Sequence, residues 1–398
     1  MPTKKIVLAY SGGLDTSVAV SWLKEKYQAE VVTFTVDLGM VRLEEIRKRA
    51  LVMGAASAYV QDGRDMFVRE FVWPALRASA VYEEQYPLAT ALGRPLIARA
   101  LCEIARKEGA FAIAHGCTGK GNDQVRFDVT TAALAPELKV IAPAREWGMT
   151  RQQEVEYARA RKLPIAIKDS KYSIDENLWG RSIEAGPMED PWVEPPEDAF
   201  LWTKSADAAP AVPAYVEIAF TEGVPVSLDG EEMGPVALIE HLNRVAGEHG
   251  VGRIDHIENR LVGIKSREVY ESPAAVALHA AHKALEAMTL SKEQSRLKAR
   301  IAQDYADLVY NGLWFTHHRE DLDAYVASTQ RYVTGTVRVR LHKGACAVVG
   351  RKSENALYVH NLATYGAGDT YDQRAAEGFI AIYGLPVRTQ NRIQKGKR

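Results

Sequence analysis

Ile6-Val7-Leu8-Ala9-Tyr10, running directly into Ser11-Gly12-Gly13-Leu14-Asp15-Thr16-Ser17, decides the fold of this chain. An unbroken apolar run reads as a strand of a parallel sheet, buried on both faces. The paired glycines then let the backbone turn sharply and come close to a ligand. Val18, Ala19, Trp22 and Leu23 follow at helical spacing. Strand, turn and helix start thus meet over residues 11–17. Free N–H groups and the positive end of the helix dipole make an anion site there.

The commoner phosphate loops are absent: the chain contains no Gly-x-x-x-x-Gly-Lys-[Ser/Thr], and no Gly-x-Gly-x-x-Gly follows a strand. No lysine reaches in from the turn itself, so hydroxyls and backbone N–H groups must hold the anion. Asp15 brings a negative charge beside it, which a cation between the two would offset; Mg²⁺ accompanies nucleotide polyphosphates. A Gly-Gly turn between strand and helix also occurs as plain topology. The Ser-Gly-Gly-x-Asp-[Ser/Thr] pattern nevertheless resembles the pyrophosphate loop of the ATP pyrophosphatase superfamily, whose members cleave ATP between the α- and β-phosphates.

Outward from the loop, strands and helices alternate. Runs 31–36, 58–60, 111–114 and 140–142 read as strands, and 43–53 and 95–107 as helices, the second with Pro95 in its first turn. Thr150 and Gln153 form a capping box before a helix running towards Lys162. The alternation predicts a doubly wound parallel sheet, with ligands beyond the carboxyl ends of its strands. The pattern changes near Leu163-Pro164. Residues 182–213, rich in proline and acids, read as an irregular surface excursion. Strands at 215–220 and 224–228, a hairpin of 336–341 with 346–351, and helices at 236–248, 274–288 and 292–310 describe an α+β second part. A last helix is expected over 371–383, before a basic tail from Arg388 without core residues. The division expected is 1–165, 166–360 and 361–398.

The 398 residues allow more than one domain. A formal net charge of -1 gives no electrostatic case for nucleic acid or a membrane surface. The apolar run after Lys4 and Lys5 is too short for a signal peptide or a span. Cys102, Cys117 and Cys346 are odd in number and scattered, which argues against a disulfide framework or zinc site. A cytoplasmic globular protein is expected.

The second signal is His115-Gly116-Cys117-Thr118-Gly119-Lys120-Gly121-Asn122-Asp123-Gln124-Val125-Arg126-Phe127. It follows the 111–114 strand, at the same edge of the sheet as Ser11. Its glycines allow close approach, and Thr118, Asn122, Asp123 and Arg126 supply donors, acceptors and both charges, the mixture a zwitterion needs. A plain alternative is a polar loop capping the next helix through Asn122 or Asp123. His115 reads as a turn support and Cys117 as a small buried side chain.

Together with the opening loop, this run resembles argininosuccinate synthase. Tyr86-Pro87-Leu88-Ala89-Thr90, Tyr172-Ser173-Ile174-Asp175-Glu176-Asn177-Leu178, Ile257-Glu258-Asn259-Arg260, the run 265–273 and Tyr371-Asp372-Gln373-Arg374 extend the likeness over nearly the whole chain. The resemblance implies a ligase joining L-citrulline to L-aspartate through a citrullyl-adenylate, with ATP converted to AMP and pyrophosphate and Mg²⁺ held mainly by the nucleotide. It also implies a homotetramer. ATP would lie on Ala9, Tyr10, Ser11, Gly12, Gly13, Leu14, Asp15, Thr16, Ser17, Val36 and Gly116. Aspartate would meet Thr118, Asn122 and Asp123, and citrulline Tyr86, Asn122, Arg126, Ser173, Ser182, Glu258 and Tyr270. By charge, Glu258 suits the citrulline ammonium and Arg126 its carboxylate. Asp15 and Asp123 are the candidate catalytic residues, Asp123 as a base unless substrate phosphate serves. Met40 stands where the family carries glutamine, the loop before Leu43 is shortened, and Ala91 replaces a serine that contacts citrulline in some relatives. A tRNA-thiolating enzyme with the same loop would need sulfur-handling cysteines and a basic surface, and neither is present. A nucleotide sensor built on the same fold is the non-catalytic alternative; turnover separates the two.

Overall fold

The computed structural model describes residues 4–39, 42–164 and 171–395. Met40 therefore lies outside the described residues. The chain forms two compact units, Met1–Asn355 and Ala356–Arg398.

The first unit begins with β1 (Lys5–Ala9), α1 (Leu14–Tyr27), β2 (Glu30–Asp37), α2 (Leu43–Val52) and β3 (Ser57–Asp62). After short helical turns come α3 (Ala89–Glu108), β4 (Ala112–Ala114), α4 (Asp123–Leu134), β5 (Lys139–Ile141) and α5 (Arg151–Ala160). The strands form a parallel sheet in the order β3-β2-β1-β4-β5. Alternation along β1 and β2 feeds two cores. Val7, Val32 and Phe34 pack on the α3 side with Leu92, Leu96 and Leu101, while Ile6, Leu8 and Val31 face Ala19, Val20 and Leu23 of α1. Both faces are covered, as the doubly wound reading requires. The chain leaves β1 towards β2 and returns to β4 on the other side. The order therefore reverses between β1 and β4, the place where such sheets bind ligands. The residue 11–17 turn leaves one of these strands and the residue 115–121 loop leaves the other.

One helix differs from its sequence reading. α3 starts at Ala89, so Pro95 sits inside the helix rather than in its first turn. The Tyr86 hydroxyl accepts the first-turn N–H groups of Thr90 at 2.9 Å and Ala91 at 3.4 Å. That tyrosine cap starts the helix two turns early, and no residue pattern advertises it.

The remainder of the unit carries β6 (Ser173–Asn177), β7 (Gly180–Glu184), β8 (Ala214–Thr221), β9 (Val224–Leu228), β10 (Glu231–Glu232) and α6 (Pro235–Glu248). β11 (Arg253–Asn259), β12 (Lys265–Glu271), α7 (Pro273–Thr289), α8 (Lys292–Tyr310), α9 (His317–Gln330), β13 (Gly335–His342) and β14 (Ala345–Lys352) follow. They make two antiparallel sheets, β10-β9-β8-β13-β14 and β11-β12-β7-β6. The expected irregular stretch from Ser182 is corrected at its start: residues 182–184 belong to β7, with Ser182 opposite Tyr270. Its strand was hidden because the turn before it is fixed by side chains. Asn177 Oδ1 accepts the Trp179 N–H at 2.9 Å, and the buried Trp179 indole donates to Pro87 O at 2.8 Å.

In the second unit, α10 spans Ala375–Tyr383 and α11 spans Leu385–Gln394. The tail from Arg388 thus continues in a helix where none was expected. Phe379, Ile380, Ile382, Tyr383, Leu385, Val387 and Ile393 are exposed along the pair. Among the described residues, no helix is long and apolar enough to cross a membrane.

Candidate active site

The turn after β1 is set for an anion. Gly12 takes φ 78°, a conformation costly to residues with a Cβ. Gly13 is the N-cap of α1 and supplies no side-chain cap, which leaves the first-turn N–H groups available to a ligand. The hydroxyls are held in place: Ser11 Oγ lies 3.1 Å from Thr16 Oγ1, and Ser17 Oγ lies 3.0 Å from the Tyr10 hydroxyl. A positive charge arrives from another element. Arg49 of α2 donates to Gly12 O at 2.8 Å. Nothing in the sequence of the turn announces that guanidinium.

Asp15 has an acidic neighbour. Glu154 of α5 is buried facing it, and burial together with the Asp15 charge pushes the Glu154 carboxyl up to about 8. Glu154 therefore takes up a proton far more readily than an ordinary carboxyl.

The loop after β4 leans on the first. A Cβ placed on Gly116 would stand 2.9 Å from Thr16 Cγ2, so any side chain there would force Thr16 or the loop to shift. His115 is fully buried and supports the bend, accepting the Cys117 N–H at Nδ1 (3.2 Å) and facing Asp128 with Nε2 at 3.0 Å. Burial pushes the Cys117 thiol up to about 12, which leaves it inert. Asn122 occupies the N-cap of α4 without capping it. Its Oδ1 instead accepts the Leu261 N–H at 2.8 Å and its Nδ2 donates to the Tyr310 hydroxyl at 2.7 Å. The helix-cap alternative for this loop fails at that point.

From Gly116 a pocket of about 250 Å³ opens towards the β11-β12-β7-β6 sheet. Asp123 lies in its wall with both oxygens tied to guanidinium groups, Oδ2 to Arg94 Nε and Oδ1 to Arg126 Nη1, each at 2.7 Å. Burial alone would raise its carboxyl, but Arg94 and Arg126 hold it below the usual range. Arg94 also pairs with Asp175 of β6. Arg126 is buried, and its Nη2 finds no protein acceptor. A buried donor without a partner is costly, and a ligand carboxylate would satisfy it.

On the far side, Glu258 is buried and receives two tyrosine hydroxyls, Tyr270 on Oε2 and Tyr310 on Oε1, both at 2.6 Å. Rings back these contacts. Tyr86 stacks on Tyr270 with centroids 4.4 Å apart, and Tyr82 stacks on Tyr310 at 3.6 Å. Arg260 closes the end of the pocket between Glu184 and Glu268. Burial and the Glu184 charge push the Glu268 carboxyl up to about 7.

Of the residues marked from sequence, Tyr86, Gly116, Thr118, Asn122, Asp123, Arg126, Ser182, Glu258 and Tyr270 line this one pocket. Ala9 to Ser17 form the adjoining turn, and Val36 is buried near the end of neighbouring β2. Ser173 stands apart: it is exposed at the start of β6 opposite Glu184 and does not line the pocket. Arg94, Arg260, Glu268 and Tyr310 are the additions. Arg260 lay inside a quoted motif, but Arg94 sits mid-helix and Tyr310 ends a helix, positions that read as packing.

A doubly wound sheet with a glycine-hinged turn at its switch point, beside a pocket lined by both charges, is the arrangement of an enzyme built on a nucleotide-binding domain. Residues 5–164 match the family described as Arginosuccinate synthase N-terminal HUP domain, and residues 172–390 match Arginosuccinate synthase C-terminal domain. The chain belongs to the argininosuccinate synthase family. It is 56% identical over 394 residues to the argininosuccinate synthase of Dehalococcoides mccartyi strain 195, covering 98% of this chain and 97% of that one. The argininosuccinate synthase of Symbiobacterium thermophilum is 56% identical over 400 residues, with full coverage of both chains. That of Brevibacillus brevis is 54% identical over 398 residues, covering 100% of this chain and 95% of its own.

Proposed function

We propose that this chain carries out its family's reaction in the cleft between the two turns, with each substrate on the residues named for it except Ser173, which lies outside the pocket. L-citrulline and L-aspartate are joined, and ATP leaves as AMP and pyrophosphate. The observation that carries the assignment is the abutment of Gly116 on Thr16. It sets the anion turn against the mouth of the amino-acid pocket, so a nucleotide phosphate and a ureido group can meet.

The chemistry follows from the groups present. A ureido oxygen is a weak nucleophile, so the gain lies in alignment with the α-phosphate and in offsetting charge on the departing diphosphate. Ser11, Thr16, Ser17, the α1 N–H groups and Arg49 serve the leaving group. Citrulline spans Arg126 and Glu258, its carboxylate on the free Nη2 and its ammonium on the carboxylate. Aspartate takes Thr118 and Asn122 at the loop. With both oxygens in ion pairs, Asp123 is a poor base; it orients, and the proton from the aspartate amine passes to substrate phosphate.

Asp15 suits a divalent cation. Its charge faces Glu154, whose carboxyl is raised by burial and by Asp15, so a cation bound there would be met by two carboxylates once Glu154 gave up any proton it held. Mg²⁺, when bound with the nucleotide, would screen the diphosphate. Residues 1–165 would then serve the nucleotide, 166–360 the amino acids and assembly, and 361–398 the contact with other copies. The exposed apolar side chains of α10 and α11 support a homotetramer, and the free thiols of Cys102, Cys117 and Cys346 fit the cytoplasm.

Incubation with ATP, Mg²⁺, citrulline and aspartate should release AMP and pyrophosphate in equal amounts. Formation of ADP, or pyrophosphate release indifferent to citrulline, would refute the assignment.

A further inference from the structure

We infer that Tyr310 is a positioning residue that fixes the separation of Glu258 from Arg126, and that this separation makes the pocket select a substrate bearing both an α-ammonium and an α-carboxylate. The inference rests on the reaction assigned above and adds to it the part of the substrate that is measured and the residue that measures it.

Tyr310 touches three pocket residues from one place. Its hydroxyl donates to Glu258 Oε1 at 2.6 Å and accepts from Asn122 Nδ2 at 2.7 Å. Its carbonyl accepts Arg126 Nε at 3.0 Å, and its ring lies under the same guanidinium, 5.0 Å from Cζ to centroid. A phenol has a single proton. Here it is committed to Glu258, because Asn122 supplies the other bond as donor. Burial and the Glu258 charge raise the Tyr310 phenol well above its ordinary value, so it remains a donor throughout the working range.

The residue itself has little freedom. Tyr310 is fully buried, and Tyr82 lies parallel to its ring at 6°. It ends α8, so its free carbonyl and the negative end of the helix dipole both favour a cation at that spot. Gly312, at φ 77°, is what brings the helix end so close; a Cβ there would stand 2.9 Å from Arg126 Cα. Arg126 and Glu258 belong to different elements, α4 and β11. No backbone segment shared by the two sets their spacing, whereas Tyr310 holds both. Glu258 still has lone pairs to offer after its two phenols, and Arg126 Nη2 remains a free donor.

The test compares citrulline with 5-ureidopentanoic acid, which keeps the ureido group and carboxylate but lacks the α-amino group. Wild-type enzyme should prefer citrulline strongly in kcat/KM. Tyr310→Phe keeps the ring, the carbonyl and the helix end but loses both hydroxyl contacts. Its KM for citrulline should rise about tenfold or more while the KM for ATP stays within about twofold. The preference for citrulline over the analogue should fall about tenfold. A merely structural role would reduce both substrates alike, and an unchanged preference overturns the inference. Should Tyr310→Phe fail to fold by circular dichroism, Tyr82→Leu gives the same reading. It removes the backing ring together with the Tyr82 hydroxyl bond to Asn259 O and leaves the Tyr310 hydroxyl. With Tyr82→Phe, which loses only that bond, as control, a preference lowered at least threefold in Tyr82→Leu but not in Tyr82→Phe supports the inference, and one unaltered or lowered equally in both overturns it. Wild-type protein without citrulline-dependent pyrophosphate release would refute the assigned reaction itself. An active wild type with unchanged preference in the variants removes only the role of Tyr310.

Discussion

Gly116 and Thr16 share a space too small for a methyl group: a Cβ on the glycine would meet Thr16 Cγ2 at 2.9 Å. Thr16 stands in the first turn of α1, and Gly116 leaves the end of β4, so this contact couples the anion turn to the amino-acid loop. Gly116→Ala must push the two apart by a few tenths of an ångström or more. We expect pyrophosphate release to fall by about 10²-fold, because misalignment of the attacking atom is costly. Thermal stability should change little, since both loops lie at the rim of the sheet. Steady-state kinetics beside a melting curve decides it.

Asp15→Asn keeps shape and removes one charge. Glu154 then loses the neighbour that helps hold its proton, and a cation at the turn loses a carboxylate. The expected outcome is a pyrophosphate rate lowered by about 10²-fold or more, with a higher Mg²⁺ requirement and an unchanged circular dichroism spectrum. Wild-type turnover at low Mg²⁺ in this variant would remove Asp15 from the cation site.

Arg94 links Asp123 to Asp175 across the pocket wall. Arg94→Leu leaves Asp175 unpaired and Asp123 with Arg126 alone. Asp123, then held from one side only, loses the fixed orientation it offers to the bound aspartate. The KM for aspartate should rise about tenfold or more, the size of one charge-assisted contact, and citrulline should be affected less. Equal losses for both amino acids would mean that Arg94 only supports the fold.

The sheet and the anion turn were legible in the sequence because their causes are local. Apolar runs such as 6–10 and 31–36 are short and rich in β-branched residues, which favours buried strand, and Ser11-Gly12-Gly13 turns on its own glycines. The pocket walls were less legible. Tyr86 declared itself as a ligand residue by motif, yet its hydroxyl also caps α3, which moved that helix start from 95 to 89. Ser182 was placed in an irregular stretch because Asn177 and Trp179, fastened to distant Pro87, make the turn that creates β7. Arg94, Arg49 and Tyr310 act on partners brought near only by tertiary folding, and a helical period marks such side chains as packing or surface. Ser173 shows the converse: its motif put it at the substrate, but the β6 register leaves it exposed at the strand start.

His279 and His282 lie on α7 in surroundings that favour the neutral imidazole. Burial, with His282 and Lys298 nearby, lowers His279 to about 3, although Glu286 opposes the shift. His282 is also lowered, chiefly by burial. The unfolded chain binds a proton at each below about pH 6.5, where the folded chain does not. Protons bound are then greater in the unfolded state, so stability rises with pH through this window and is lost as pH falls. For His279 the stabilisation is complete above about 6.5 and drains away towards about 3. Urea unfolding of wild type and His279→Gln between pH 6.5 and 4.5 should diverge in slope, the wild type losing up to about 1.4 kcal/mol more per pH unit. The variant has a lower starting stability because its amide is held where a ring packed against Trp179. The slope difference, not the offset, carries the result, and parallel lines would show that His279 already titrates like an exposed imidazole.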